Sequence, residues 1–183
     1  MTGVQTCALP IYLRSADLGG LKVKLSREEE FPLETGGGLL KAAPLLAGKE
    51  PFFACNADVW WEMDLGEMYR AHCASGALAT LAVRDRQSKR LLLFDGEMRL
   101  KGRLEGEAPA GARALAFSGV QVLSPQIFGR LTETGVFSVT AAYLRLAAEG
   151  EKILGFEDRS AFWCDIGSLE RLEAVRRRAG AAL

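Results

Sequence analysis

Two aspartates stand where short apolar runs give way to polar residues: Asp58 closes PFFACNAD (51–58) and Asp165 closes AFWCD (161–165). Runs of this kind read as buried strands. In open α/β sheets ligands gather at the carboxyl ends of the strands, so two carboxylates from distant parts of the chain could meet at one edge. Hard oxygen donors suit Mg²⁺, which takes one or two carboxylates and completes its shell with water and substrate phosphates. Either aspartate alone reads better as a strand-end cap or a turn than as a metal ligand. A third candidate is Glu34-Thr35-Gly36-Gly37-Gly38, since three glycines let a backbone approach a planar or phosphorylated ligand closely, and Thr35 can cap the helix that follows. It is not a P-loop, because no Lys-Ser or Lys-Thr pair follows a G-x-x-x-x-G frame. His72, the single histidine, follows LGEMYRA and reads as a satisfied or exposed helical histidine rather than a ligand or base.

These residues need positioning elements, and the chain supplies an alternation of them. LKVKLS from Leu21 reads as a short strand, REEEFPLETGGG as a charged loop ending in a glycine-rich turn, and LLKAAPLLAG (39–48) as a short helix that Pro44 ends or kinks. MDLGEMYRAHCASG is a helix closed by Gly76, and ALATLAVRD (77–85) a buried strand. That order argues for α/β layering around a largely parallel sheet. LLLFD, MRLKGRL and RALAFSGVQVLS follow as strands, with Asp95-Gly96 a tight-turn signal between the first two. Residues 137–150 have helical spacing, KILGFED and AFWCDIG are strands, and SLERLEAVRRRAG closes the chain as a helix. Ser168 suits its N-cap, and Arg176 to Arg178 complement the dipole at its last turn. Trp60, Trp61 and Trp163 read as packing residues.

With 183 residues, 49% of them hydrophobic, the chain can bury one real core, and a single domain over 12–183 is expected. Its 23 basic and 23 acidic residues cancel, so no global field draws it onto nucleic acid or an anionic membrane. No apolar run is long enough for a membrane-spanning helix. Four separated cysteines without a C-x-x-C pair signal neither a zinc ribbon nor a disulfide framework, and fit a reducing cytoplasm. Residues 1–11, MTGVQTCALPI, have no hydrophobic period and no signal-peptide layout. After Met1 they match one reading frame of a common sequencing adapter, so they are expected to be a disordered artefact joined to a gene incomplete at its start.

Taken in order, LETGGG (33–38), FFACNADVWW (52–61), FSGVQVLSP (117–125), FSVTAAYLRLA (137–147) and WCDIGSLERLE (163–173) resemble the bacterial sugar-1-phosphate nucleotidyltransferases. The N-acetylmuramate 1-phosphate uridylyltransferase and mannose 1-phosphate guanylyltransferase types are the most similar. The resemblance implies a Rossmann-like nucleotidyltransferase fold with a mixed, largely parallel central sheet that lacks its first strands. It implies Mg²⁺ held by Asp58 and Asp165 as the catalytic pair. It places Glu34, Thr35, Gly36, Gly37 and Asn56 against the nucleotide, and Ser118 and Gly119 beside the sugar. The implied partners are a nucleoside triphosphate and a sugar 1-phosphate, with neither nucleic acid nor membrane. The implied reaction gives an NDP-sugar and pyrophosphate, with UTP and N-acetylmuramate 1-phosphate as the leading pair.

The chain departs from the family pattern in two places. The L-A-A-G-x-G-x-R loop and P-K-P motif that grip the triphosphate are not found, so the chain as written is expected to be inactive although its parent is an enzyme. After Asp85, RDRQSKR stands where the family has E-K-P, which leaves the sugar open. A sugar-nucleotide-binding regulatory domain is a second reading, against which the two retained aspartates argue. A ligand-free structural domain is a third, against which the ordered co-occurrence of the motifs argues.

Overall fold

The structure is a computed structural model in which residues 19–20, 22–46 and 48–180 are described. The expectation for residues 1–11 falls outside them. The elements in chain order are α1 (Glu34–Leu46), β1 (Phe52–Cys55), β2 (Val59–Trp61), α2 (Leu65–Ser75), β3 (Ala79–Arg84), β4 (Leu91–Phe94), β5 (Leu100–Arg103), β6 (Arg113–Leu123), a 3₁₀ turn (Pro125–Gly129), α3 (Val139–Ala148), β7 (Ile153–Glu157), β8 (Trp163–Asp165) and α4 (Leu169–Gly180).

The main sheet runs β5-β4-β6-β3-β7, and β1 joins the free side of β6 beyond β4. It is mixed, as expected, but its parallel share is small. Among the described residues only β3 and β7 pair in parallel, while β1, β3 and β4 all run antiparallel to β6 and β4 antiparallel to β5. The cause is the long β6, whose 11 residues serve β3 along one side and β4 then β1 along the other. A sequence period shows that a run is a strand without showing which way its neighbours point.

Side chains of the sheet alternate between two cores. Leu81, Val83 and Leu123 pack under α1 and α3 with Leu39, Val139, Tyr143 and Leu146. Ala82, Val120 and Val122 face the other way, onto Met68 of α2 and the flanking Val59 and Trp61. Gln121 is the polar exception on the first face, and it accepts a 3.0 Å hydrogen bond from the buried Tyr143 hydroxyl.

Three local readings are corrected. Residues 22–29 carry no strand, and Val23 and Leu25 are exposed; a run this short gains little from alternation without a partner to pair with. The glycine run is not a turn before a helix, because α1 already begins at Glu34 and contains Pro44 two residues before its end. PFFAC is a strand, but only half-buried, since among the described residues β1 pairs with β6 alone and is therefore an edge strand. The cap readings at Gly76 and Ser168 fit: Gly76 takes the left-handed conformation after α2, and Ser168 accepts from the Arg171 N–H; at the start of α2 Asp64 accepts from the Glu67 N–H.

His72 is buried at the end of α2 and hydrogen-bonded on both sides. The Ser124 hydroxyl donates to the Ala77 carbonyl at 2.8 Å, so its oxygen accepts from His72 Nε2–H at 3.0 Å, leaving Nδ1 to accept from the Thr80 hydroxyl at 2.8 Å. The site holds a neutral ring, and burial pushes its pKa below the ordinary value. The unfolded chain then binds a proton that the folded one refuses. His72 therefore contributes stability that is complete above about pH 6.5 and is lost as pH falls toward the folded value, with a slope of at most about 1.4 kcal/mol per pH unit. Urea denaturation at pH 7.5 and 5.5 should show this loss, and His72→Gln should flatten it. Glu157, held down to about 2 by Arg113 and Arg159, stays ionised across that window and does not contribute to the slope.

Candidate active site

A cavity of about 410 Å³ opens between the end of β1, the start of β2, the middle of β6 and the end of β8, near the starts of α1 and α3. The fold assembles its walls from seven separate segments of the chain. The β2·β8 ladder, with Val59 opposite Asp165 and Trp61 opposite Trp163, brings the two aspartates together; Ile166 N–H donates to Asp58 O at 2.8 Å. Asp58 and Asp165 thus stand one residue apart across a ladder, and both line the cavity. They belong to this two-stranded ribbon rather than to the main sheet. Asp58 is exposed and its carboxylate has no hydrogen-bond or ion-pair partner among the described residues. Asp165 is held: Oδ1 accepts from Gly167 N–H at 2.8 Å, and Oδ2 lies 3.1 Å from the Arg171 guanidinium.

Asn56 extends the β1·β6 ladder by one bond, its N–H donating to Gly119 O at 2.8 Å. Gly119 has φ +81°, and a Cβ there would lie 3.0 Å from Asn56 Nδ2. Gly119→Ala should therefore cost about 1–2 kcal/mol from the left-handed backbone and press on Asn56, whose side chain can yield. Thermal melts should show the loss; an unchanged melting temperature would mean the backbone relaxes at no cost. Beside it, Ser118 is 2% exposed and its hydroxyl oxygen has no hydrogen-bond partner, although it lines the cavity. A buried, unpaired hydroxyl costs about 1–3 kcal/mol, and a ligand in the cavity would satisfy it.

Of the glycine motif, only Thr35 reaches the cavity. Its hydroxyl accepts from Val139 N–H at 3.1 Å, so it caps α3 and not its own helix. Gly36 and Gly37 are buried elsewhere: both donate to Phe137 O, at 2.9 and 3.3 Å, and a Cβ at Gly37 would collide with the Gly135 carbonyl. The glycines allow α1 to press against the 135–137 backbone, and Glu34, with φ +59°, is exposed at the helix start. Gly37→Ala should be strongly destabilising, because its contact is with backbone that cannot swing aside.

Arginines also line the cavity, and sequence reasoning did not single them out. Arg86, Arg90 and Arg103 line the cavity with Ser88. The Arg86 guanidinium lies 4.3 Å from the centroid of the Trp163 ring and donates to Phe117 O at 3.1 Å. Trp163 in turn donates from its indole N–H to Ser118 O at 2.9 Å. Burial pushes the Arg86 pKa down, while the Asp165 charge acts in the opposite direction. For Arg86 and Arg90 the signal was the basic run RDRQSKR (84–90) at the end of β3; Arg103, in β5, carried none. Trp163 is thus a cavity wall, whereas Trp61 packs in the second core and Trp60 is exposed.

This architecture is the Rossmann-like fold of the sugar-nucleotide-forming nucleotidyltransferases, the class that the motifs resemble. In sequence the chain is similar to the N-acetylmuramate alpha-1-phosphate uridylyltransferase of Neisseria meningitidis serogroup B, with 28% identity over 171 residues that cover 88% of this chain and 69% of the relative. In structure it matches HddC from Yersinia pseudotuberculosis with a TM-score of 0.64 at 19% identity, covering 82% of this chain and 64% of that one. It matches a UDP-glucose pyrophosphorylase from Acinetobacter baumannii with a TM-score of 0.63 at 23% identity, covering 81% and 57%. The chain thus spans less than two thirds of the length of these solved structures. No family model matches it. No helix among the described residues is long and apolar enough to cross a membrane.

Proposed function

We propose that the cavity is a nucleotidyl-transfer site, in which a sugar 1-phosphate oxygen attacks the α-phosphorus of a nucleoside triphosphate. The new bond joins that oxygen to the α-phosphorus, and the bond to the β-phosphate bridging oxygen breaks to release pyrophosphate. UTP and N-acetylmuramate 1-phosphate are the leading substrates, which would place the protein in the cytoplasm and in the supply of sugar nucleotides to the cell wall. One observation carries the reading: Asp58 and Asp165, about a hundred residues apart in sequence, meet on one ladder at the rim of a cavity that also holds Thr35, Asn56, Ser118 and Gly119.

The donor set fits Mg²⁺. Asp58 offers an unpartnered carboxylate and Asp165 retains lone pairs beyond its two contacts, the kind of pair this ion takes while keeping water and phosphate oxygens. When bound, the ion would orient the phosphates and offset their charge. Arg171 and Gly167 N–H fix the Asp165 carboxylate in place. Thr35 and Asn56 are assigned to the nucleotide, with Gly36 and Gly37 shaping the helix start that presents Thr35, and Glu34 at its edge. Ser118 and Gly119 are assigned to the sugar, where the Ser118 hydroxyl would gain its missing partner. Positioning and charge stabilisation supply the rate, and no covalent intermediate on the protein is required.

Calorimetric titration tests this without depending on turnover. Even without the L-A-A-G-x-G-x-R loop, and without turnover, UTP should bind the chain measurably when MgCl₂ is present and more weakly without it, and N-acetylmuramate 1-phosphate should bind the UTP complex. Tighter binding of GTP and mannose 1-phosphate would move the assignment to the guanylyl reading. No binding of any nucleoside triphosphate would overturn the proposal.

A further inference from the structure

Arg90 and Arg103 stand together without a counter-charge. In the β4·β5 ladder Leu92 faces Arg103, and Leu92 lies two residues from Arg90, so all three share one face of the hairpin and all line the cavity. Neither guanidinium has an ion pair or hydrogen bond among the described residues. Other arginines of the same sheet are paired, Arg113 with Glu157 and Arg99 with Glu97. Glu105 follows Arg103 by two residues and does not reach it. Like charges on neighbouring strands repel, and a concave wall of one sign concentrates its field on whatever enters. Arg86 adds a third positive charge, its Nε buried without a partner, and Ser118 contributes the orphaned hydroxyl described above.

We infer that Arg90 and Arg103 form an anion subsite that selects sugar 1-phosphates carrying a carboxylate on the sugar over their neutral counterparts. This rests on the nucleotidyl-transfer reading. Under it, the charge of the 1-phosphate is met at the Asp58–Asp165 end by the metal and by Arg86, which is fixed over Trp163 beside Asp165. The hairpin pair then remains for a second anionic group. Guanidinium forks match a carboxylate with two parallel hydrogen bonds, which gives geometric selection as well as attraction.

The test compares N-acetylmuramate 1-phosphate with N-acetylglucosamine 1-phosphate, which differ by one lactyl carboxylate group, by calorimetry on the full chain with Mg²⁺ and UTP present. The unaltered chain should prefer the acidic sugar by about tenfold or more, the scale of one hydrogen bond to a charged group. Arg90→Gln and Arg103→Gln, both at exposed positions, should abolish that preference by lowering the affinity for N-acetylmuramate 1-phosphate about tenfold more than the affinities for N-acetylglucosamine 1-phosphate and UTP. Equal affinity for the two sugars in the unaltered chain would overturn the inference. So would an equal loss for both sugars in the variants, which would make the pair a 1-phosphate site, or a loss of UTP binding, which would make it a triphosphate site. If the unaltered chain binds no UTP, the nucleotidyl-transfer reading fails first and the inference falls with it.

Discussion

Asp158→Ala should destabilise the chain by about 3–5 kcal/mol, the largest single-residue effect expected on its stability. The Asp158 side chain is 1% exposed and receives Arg84 Nη1 at 2.9 Å on one oxygen and the Ser160 N–H at 2.9 Å on the other. Its own N–H donates to Val83 O at 2.9 Å, so the residue knots the C-terminal ends of β3 and β7. Truncation removes the counter-charge of the Arg84 guanidinium, which keeps only the carbonyl and hydroxyl oxygens of Ser160, and leaves the Ser160 N–H without an acceptor. Asp158→Asn, which keeps an acceptor for the Ser160 N–H, should lose distinctly less. Urea denaturation read by tryptophan fluorescence distinguishes the two, and a loss below about 1 kcal/mol for the alanine variant would show that the pair is no better than a surface ion pair. Because β3 leads directly into Arg86, the same variant should also loosen the arginine wall of the cavity.

Asp165→Asn should weaken Mg²⁺-dependent UTP binding by at least about 10- to 100-fold, the range seen even for residues that only support a metal ligand. The substitution removes the charge and keeps volume, and the Gly167 N–H contact survives through the amide oxygen. Stability should therefore change little, which separates loss of a ligand from loss of the fold. The Arg171 ion pair is lost as well, but it is exposed and worth well under 1 kcal/mol. Calorimetry with and without MgCl₂ checks both statements. Unchanged metal dependence in the asparagine variant would remove Asp165 from the site.

The parts of this molecule that could be read from the sequence are those set by local chemistry. Gly76 closes α2 and Ser168 caps α4 because only glycine adopts left-handed backbone without strain and a hydroxyl satisfies an orphan N–H group. Asp58, Asp165, Thr35, Asn56, Ser118 and Gly119 could be nominated from motifs, and they line one cavity. What stayed hidden depends on partners far away in sequence. The antiparallel character of the sheet follows from β6 accepting three neighbours, and the burial of Gly36 and Gly37 from Phe137 and Gly135, about a hundred residues on. Arg86 and Arg90 are legible only as a departure from the E-K-P pattern, and Arg103 only as a strand residue, because nothing local shows that Trp163 and the β4·β5 hairpin will gather the three into a wall.

The central claim is that Asp58 and Asp165 jointly hold a divalent ion with the nucleotide. Paramagnetic relaxation by Mn²⁺, in place of Mg²⁺, on the isotope-labelled chain with UTP tests it most directly. The amide signals of residues 56–59 and 164–167 should broaden together at low Mn²⁺, and Asp58→Asn should abolish the effect at both segments. Broadening confined to the acidic surface around Glu62, Asp64 and Glu67, with both aspartate segments unaffected, would contradict the claim.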